Sequence, residues 1–171
     1  ATVAWAQTLP ALRSELSRLL VDLPAAETWQ LLLEFPLYRL RRRIDAVLVL
    51  PECIVVIEIK TGADTFDSAD KRQVIEYAQD LRDFHSASKN ATLIPVLWSF
   101  EATSEPFCPS EIAATVGVAP LSLVGKHGLA ELLMRLGRGS ALLSVPTAEA
   151  RGKAWDEAAY EPVPSVIDAA I

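Results

Sequence analysis

Residues 41–62, RRRIDAVLVLPECIVVIEIKTG, set two short apolar runs on either side of Pro51-Glu52. Runs of this length, rich in Val and Ile and separated by a Pro-containing turn, form strands. Strands joined by so short a turn pair antiparallel. The pattern therefore predicts strands at about 43–50 and 54–60 and makes them the heart of a sheet. Three residues break the apolar pattern: Asp45 in the first run, and Glu58 and Lys60 in the second. If Leu50 and Cys53 flank a two-residue turn, ladder partners have numbers summing to 103, and Asp45 faces Glu58. Their Cβ atoms would then lie roughly 5 Å apart on one face of the sheet. Strand alternation places Lys60 on that face as well. Pro51 suits a type I turn better than the primed turns of tight hairpins, and a slip of one residue would turn Asp45 to the other face.

Two opposed carboxylates repel, and burying either alone is costly. Lys60 could neutralise them as a structural charge cluster. A hard divalent cation, Mg²⁺ or Mn²⁺, would do so through the same oxygens.

The rest of the chain supplies the frame. Leu9, Leu12, Leu16, Leu19 and Leu20 fall at helical spacing over residues 8–22, with Thr8 as N-cap and Pro10 in the first turn. A short helical segment is expected around Glu27. A strand then runs to about Tyr38, and Pro36 makes it an edge or interrupts it. Residues 67–87 read as an amphipathic helix capped by Asp67 or Ser68, with Val74, Tyr77, Ala78, Leu81 and Phe84 on its apolar face. Residues 92–100 form an apolar strand, and another short strand is expected around Ala113 to Val118. Residues 126–140 read as a helix stopped by Gly137 or Gly139. Beyond about residue 150 come a helical turn, a Pro-spaced extended piece and the start of another helix, as though the sequence continued past Ile171. The fold class is α/β: a mixed sheet with helices on both faces.

The composition is that of a globular chain, 51% hydrophobic and 22% charged, with no apolar run long enough to span a membrane and no signal-peptide pattern at its start. Cys53 and Cys108 lie outside any metal spacing and read as thiols of a reducing, cytoplasmic setting. A net charge of −6 counts against a general nucleic-acid coat. Arg39, Arg41, Arg42 and Arg43 nevertheless form a local basic patch, either a solvated strand start or a phosphate-binding surface. His85, His127 and the four tryptophans read as packing or surface residues. Asp64, Asp67 and Asp70 suit the start of a helix by charge alone.

An Asp followed on the next strand by Glu-x-Lys, inside a helix, three-strand, helix, strand order, resembles the PD-(D/E)XK nuclease superfamily. Gln73 and Tyr77 match a Gln and a Tyr one turn apart that its nucleic-acid-cutting members often carry on the following helix. More closely, EFPLYRLRRRIDAVLVL, VVIEIKTGADTF, QVIEYAQDLRDFH and YEPVPSVIDAAI look like the N-terminal nuclease-like region of bacterial schlafen-group-3-like DNA/RNA helicase proteins, over roughly residues 27–171. The resemblance implies a restriction-endonuclease-like fold, core order αβββαβ, over residues 1–150. Residues 151–171 would be a linker towards a helicase domain of the same polypeptide. It implies hydrolysis of phosphodiester bonds in DNA or RNA with Mg²⁺ or Mn²⁺ held by Asp45, Glu58 and the backbone carbonyl of Ile59. Lys60 would orient the attacking water, with Gln73 and Tyr77 lining the site. The first-motif position is RID here, without the Pro-Asp of the superfamily's name. Many members also place a Glu on the first helix, for which Glu15 and Glu34 are the candidates. The alternative is a catalytically silent module of the same fold, used for nucleic-acid binding or partner docking.

Overall fold

The computed structural model describes residues 5–140 and 155–158. Among these residues six strands form one mixed, open sheet flanked by helices. In chain order the elements are α1 (Trp5–Asp22), β1 (Gln30–Leu37), β2 (Arg42–Val49), β3 (Cys53–Lys60), α2 (Ser68–Phe84), β4 (Thr92–Ser99), α3 (Pro109–Ala114), β5 (Gly117–Val118), β6 (Ser122–Val124) and α4 (Gly128–Ser140). A 3₁₀ turn, Pro24–Thr28, supplies the helical segment expected around Glu27.

β1, β2 and β3 run as an antiparallel meander, and β4 joins β3 in parallel. The far edge of β4 is shared, with Thr92–Leu93 pairing β5 and Val96–Trp98 pairing β6. β1 lies at the sheet's edge, where Pro36, lacking a backbone N–H, is tolerated. The 50–53 turn keeps the expected register despite Pro51. Ala46/Ile57, Val47/Val56, Leu48/Val55 and Val49/Ile54 all sum to 103, and Leu50 N–H donates to the Cys53 carbonyl at 2.9 Å.

Alternation along β2 and β3 gives each face its own core. Ala46, Leu48, Val55 and Ile57 pack with Leu12 and Leu19 of α1, Ile112 of α3 and the Leu129–Leu136 stripe of α4. Val47, Val49, Ile54 and Val56 pack under Val74, Tyr77, Ala78 and Leu81 of α2. Both faces are covered, so β3 and β4 are apolar almost throughout. Trp155 seals the second core, buried against Phe35 and His85, and donates its indole N–H to Ser88 Oγ at 2.8 Å.

Several expectations need correction. Helix α1 spans Trp5–Asp22, so Thr8 is a buried interior residue rather than the N-cap, and Pro10 lies past the first turn. Of its leucines, Leu12 and Leu19 are buried while Leu9 and Leu20 are exposed. Around 113–118 the strand shrinks to Gly117–Val118, because Pro109 at the first helical position and Glu111 behind it start the short helix α3. β6 follows unforeseen. Gly137 does not stop α4 but lies inside it. A Cβ there would come within 2.5 Å of Leu23 and 2.7 Å of Trp29, so glycine serves close helix packing. Gly139 is inside α4 too. The extended piece and helix expected from about residue 160 lie outside the described residues. No helix among the described residues is long and apolar enough to cross a membrane.

Candidate active site

The site forms where β2 and β3 part. Because Leu50/Cys53 is a hydrogen-bonded pair, alternation makes 48/55, 46/57 and 44/59 pairs of the same kind. At 44/59 the pattern fails. Ile59 N–H donates instead to Asp45 Oδ2 at 2.8 Å, so a side-chain carboxylate takes the place of the Ile44 carbonyl. The Ile59 carbonyl lies on the same strand edge as its N–H and therefore faces the same gap.

The irregularity extends to β1. Its register with β2 sums to 79, as in Leu33/Ala46 and Phe35/Ile44, which sets Glu34 opposite Asp45. Glu34 has φ +52°, a left-handed conformation that costs roughly 1 kcal/mol in a non-glycine residue. Before it Leu31 packs on the α1/α4 face; after it Phe35 and Leu37 pack on the α2 face.

Asp45 and Glu58 are both buried, 8% and 4% exposed, and each lies close enough to shift the other's titration. Burial first, then the neighbouring Asp45 charge, pushes the Glu58 carboxyl up to about 7, against the pull of Lys60. Burial also raises Asp45, and the Ile59 N–H, Glu58 and Lys60 only partly offset it. Glu58 Oε1 is 3.3 Å from Lys60 Nζ and accepts from Gln73 Nε2 at 3.1 Å. Glu58 Oε2 is buried without a hydrogen-bond partner. Burial alone would push the Lys60 ammonium down, but Asp70, 3.1 Å away, and Glu58 outweigh it and raise it.

Helix α2 supplies the roof. Asp67 caps it by accepting from Ala69 N–H at 2.6 Å. Asp70, Gln73, Tyr77 and Asp80 then follow at spacings of three, four and three, which keeps them on one stripe. Asp70 meets Lys60 and Gln73 meets Glu58 on β3, Asp80 meets Arg39 of the β1–β2 turn, and the Arg42 charge acts on the Tyr77 phenol. Gln73 also donates to the Tyr77 hydroxyl at 2.5 Å. Burial raises the Tyr77 phenol, while Gln73 and Arg42 pull it back. The buried Asp80 holds Arg39 at 2.6 Å.

All the side chains expected at the site, Asp45, Glu58, Lys60, Gln73 and Tyr77, thus come together in one cluster. Tyr77 serves both ways, 1% exposed in the α2 core with its hydroxyl turned to the site. Glu15 and Glu34 are bonded elsewhere. Glu15 accepts from Ala130 N–H at 2.8 Å and from Arg18 at 2.9 Å, holding α1 to the first turn of α4. Glu34 accepts from the Trp5 indole at 3.2 Å and lies 3.6 Å from Arg43. Asp70, read from sequence only as a helix-start charge, joins the site through Lys60. Its position three residues before Gln73 on the helix was the available signal.

Among the described residues, no group of three or more His, Cys, Asp and Glu side chains is placed to hold a metal ion. The donors gathered here are two carboxyls and a backbone carbonyl. Comparison of the chain with protein-family models, with curated proteins and with solved structures finds no match.

Proposed function

We propose that the chain is a metal-dependent nuclease domain with a restriction-endonuclease-like PD-(D/E)XK fold, hydrolysing phosphodiester bonds in DNA or RNA. The observation that carries this reading is the opened ladder at Asp45. There the chain gives up a backbone hydrogen bond to set a carboxylate beside Glu58, whose Oε2 has no partner. A buried acceptor left unmet is costly, and two carboxyls both raised by burial want a positive charge. The oxygens of Asp45 and Glu58, with the Ile59 carbonyl, suit one hard divalent cation, Mg²⁺ or Mn²⁺.

Such an ion would polarise a phosphoryl oxygen and lower the pKa of a water. The chain's own groups would do the rest. Lys60 orients the attacking water and stabilises negative charge on the phosphate. Asp70 and Glu58 hold the ammonium between them, and Gln73, braced by Tyr77, fixes the Glu58 carboxyl. The sequence resemblance adds a partner, a nucleotide-hydrolysing helicase domain of the same polypeptide that would deliver the substrate.

A second reading has one observation in its favour: Lys60 is already paired with Glu58 and Asp70. The cluster would then be structural and the domain a docking module. Cleavage of plasmid DNA and of RNA with Mn²⁺, comparing the wild type with Asp45→Ala and Lys60→Ala, separates the two. The nuclease reading expects cleavage by the wild type alone. Cleavage surviving in both variants, or absent with every divalent metal, rejects it.

A further inference from the structure

We propose that Asp70 is a positioning residue of this site, which keeps the Lys60 ammonium in place when a divalent cation binds beside it; the proposal rests on the nuclease reading. The backbone brings Asp70 over Lys60 and holds it there. Phe100 N–H donates to the Lys60 carbonyl at 3.1 Å, and Ser99 Oγ donates to the Ala63 carbonyl at 2.8 Å. The end of β3 and the loop after it are thus both tied to the end of β4. Gly62, at φ +78°, turns the chain between them. Asp67 then caps α2 by accepting from Ala69 N–H, so capping does not need Asp70. Asp70 Oδ1 lies 3.1 Å from Lys60 Nζ, and the two side chains are only 23% and 24% exposed.

Nζ therefore lies between carboxylates from two elements, Glu58 of β3 at 3.3 Å and Asp70 of α2 at 3.1 Å. A cation at the site separates their roles. Glu58 has an unpartnered oxygen to turn towards it. Asp70 does not join Glu58 there, since among the described residues no third Asp, Glu, His or Cys is placed to hold an ion with Asp45 and Glu58. An ammonium facing a dication without a counter-charge of its own would be repelled, and the four-carbon lysine stem moves easily. Asp70 supplies that counter-charge from the helix.

The charges balance only with Asp70 included. Asp45, Glu58 and Asp70 against Lys60, three carboxylates and one ammonium, carry a formal charge of −2, which one divalent cation neutralises. Without Asp70 the same groups carry −1, and the cation would leave excess positive charge in a largely buried place. An ammonium has three N–H donors. With one kept by Asp70 and Glu58 given over to the cation, two remain for the attacking water and the phosphate.

A carboxylate in the first turn of a helix is also favoured by the helix dipole. That effect acts on folding and is indifferent to Lys60, whereas a positioning role acts through Lys60. A double-mutant cycle separates them.

Isothermal titration calorimetry of Mn²⁺ into the whole 171-residue chain reads this without any cleavage. Asp70→Asn, which keeps the shape and removes the charge, should weaken Mn²⁺ binding about tenfold, and Asp70→Glu should restore most of the affinity. In a Lys60→Ala background the same Asp70→Asn change should cost no more than about twofold. On a labelled oligonucleotide, Asp70→Asn should lower kcat about tenfold with KM unchanged. Mn²⁺ affinity untouched by Asp70→Asn, an equal loss with and without Lys60, or a wild type that binds no Mn²⁺ would overturn the proposal. Urea unfolding that shifts while the Mn²⁺ affinity holds would assign Asp70 to the helix start instead. A wild type that binds Mn²⁺ and cuts nothing rejects the nuclease reading alone, and the calorimetric cycle still decides the role of Asp70.

Discussion

Glu15 and Glu58 are both buried carboxyls, 2% and 4% exposed, on opposite sides of the same sheet. Glu15 has what a buried carboxylate needs. Its Oε2 accepts from Ala130 N–H, and its Oε1 meets Arg18 at 2.9 Å and His127 at 3.6 Å. Glu58 shares one oxygen between Gln73 and Lys60, has an unpartnered second oxygen, and lies against another carboxyl. The first arrangement joins two helices and uses up its carboxylate in doing so. The second leaves capacity over, at the one place where the β2–β3 ladder opens. Burial alone does not distinguish a structural charge from a site, and neither does an unmet oxygen, which the Arg39-paired Asp80 has too; an unmet oxygen set against a second buried carboxyl does.

The sharpest way to break this comparison is to remove each charge and ask what is lost. Asp45→Ala should reduce Mn²⁺-dependent cleavage at least ~100-fold, read as initial rates on a labelled oligonucleotide. Glu15→Ala should leave the rate per folded molecule unchanged. Cleavage that follows Glu15 and ignores Asp45 would invert the account.

Stability should respond in the opposite sense. The Glu58 carboxyl is raised in the folded protein from an ordinary value of 4.5 to about 7. Its contribution is therefore fully present below about pH 4.5 and is lost as pH rises through about 7. In metal-free protein at pH 8, Glu58→Gln should stabilise by about 3 kcal/mol, an order-of-magnitude figure from that shift. Urea unfolding of both proteins at pH 5 and pH 8 checks it, and the gain should shrink at pH 5. Glu15→Ala should instead destabilise by about 2 kcal/mol, because it strands the buried Ala130 N–H. The same unfolding measurement reads this. Gln73→Ala, which frees the Glu58 carboxyl without removing it, should lower cleavage only about tenfold. A loss as large as that of Asp45→Ala would make Gln73 a primary residue of the site.

Much of this difference was legible in the sequence. Asp45, Glu58 and Lys60 stand out because β-strand patterning leaves no reason for charge in runs such as IVVIEIK, and the two-residue turn fixes their register. Gln73 and Tyr77 are reachable through helical spacing and the resemblance. Asp70 was hidden because an acid near a helix start has an ordinary explanation in the helix dipole. The opened ladder was hidden for a different reason. Pairing rules predict where Asp45 sits, but not that its carboxylate would displace a backbone acceptor, nor that Glu34 would take a left-handed φ across from it. In the frame, Gly137 misled because glycine ends helices by its backbone freedom, whereas here it serves by lacking a Cβ against Leu23 and Trp29. β5 and β6, two and three residues long, are too short to show any period.

The most direct test of the central claim is a crystal of the chain soaked in Mn²⁺ and measured at a wavelength where manganese scatters anomalously. The account predicts one strong anomalous peak between the Asp45 and Glu58 carboxylates, within ligand distance of the Ile59 carbonyl, and its disappearance in Asp45→Ala. A site that stays empty at saturating Mn²⁺, with Lys60 still seated between Glu58 and Asp70, would contradict it.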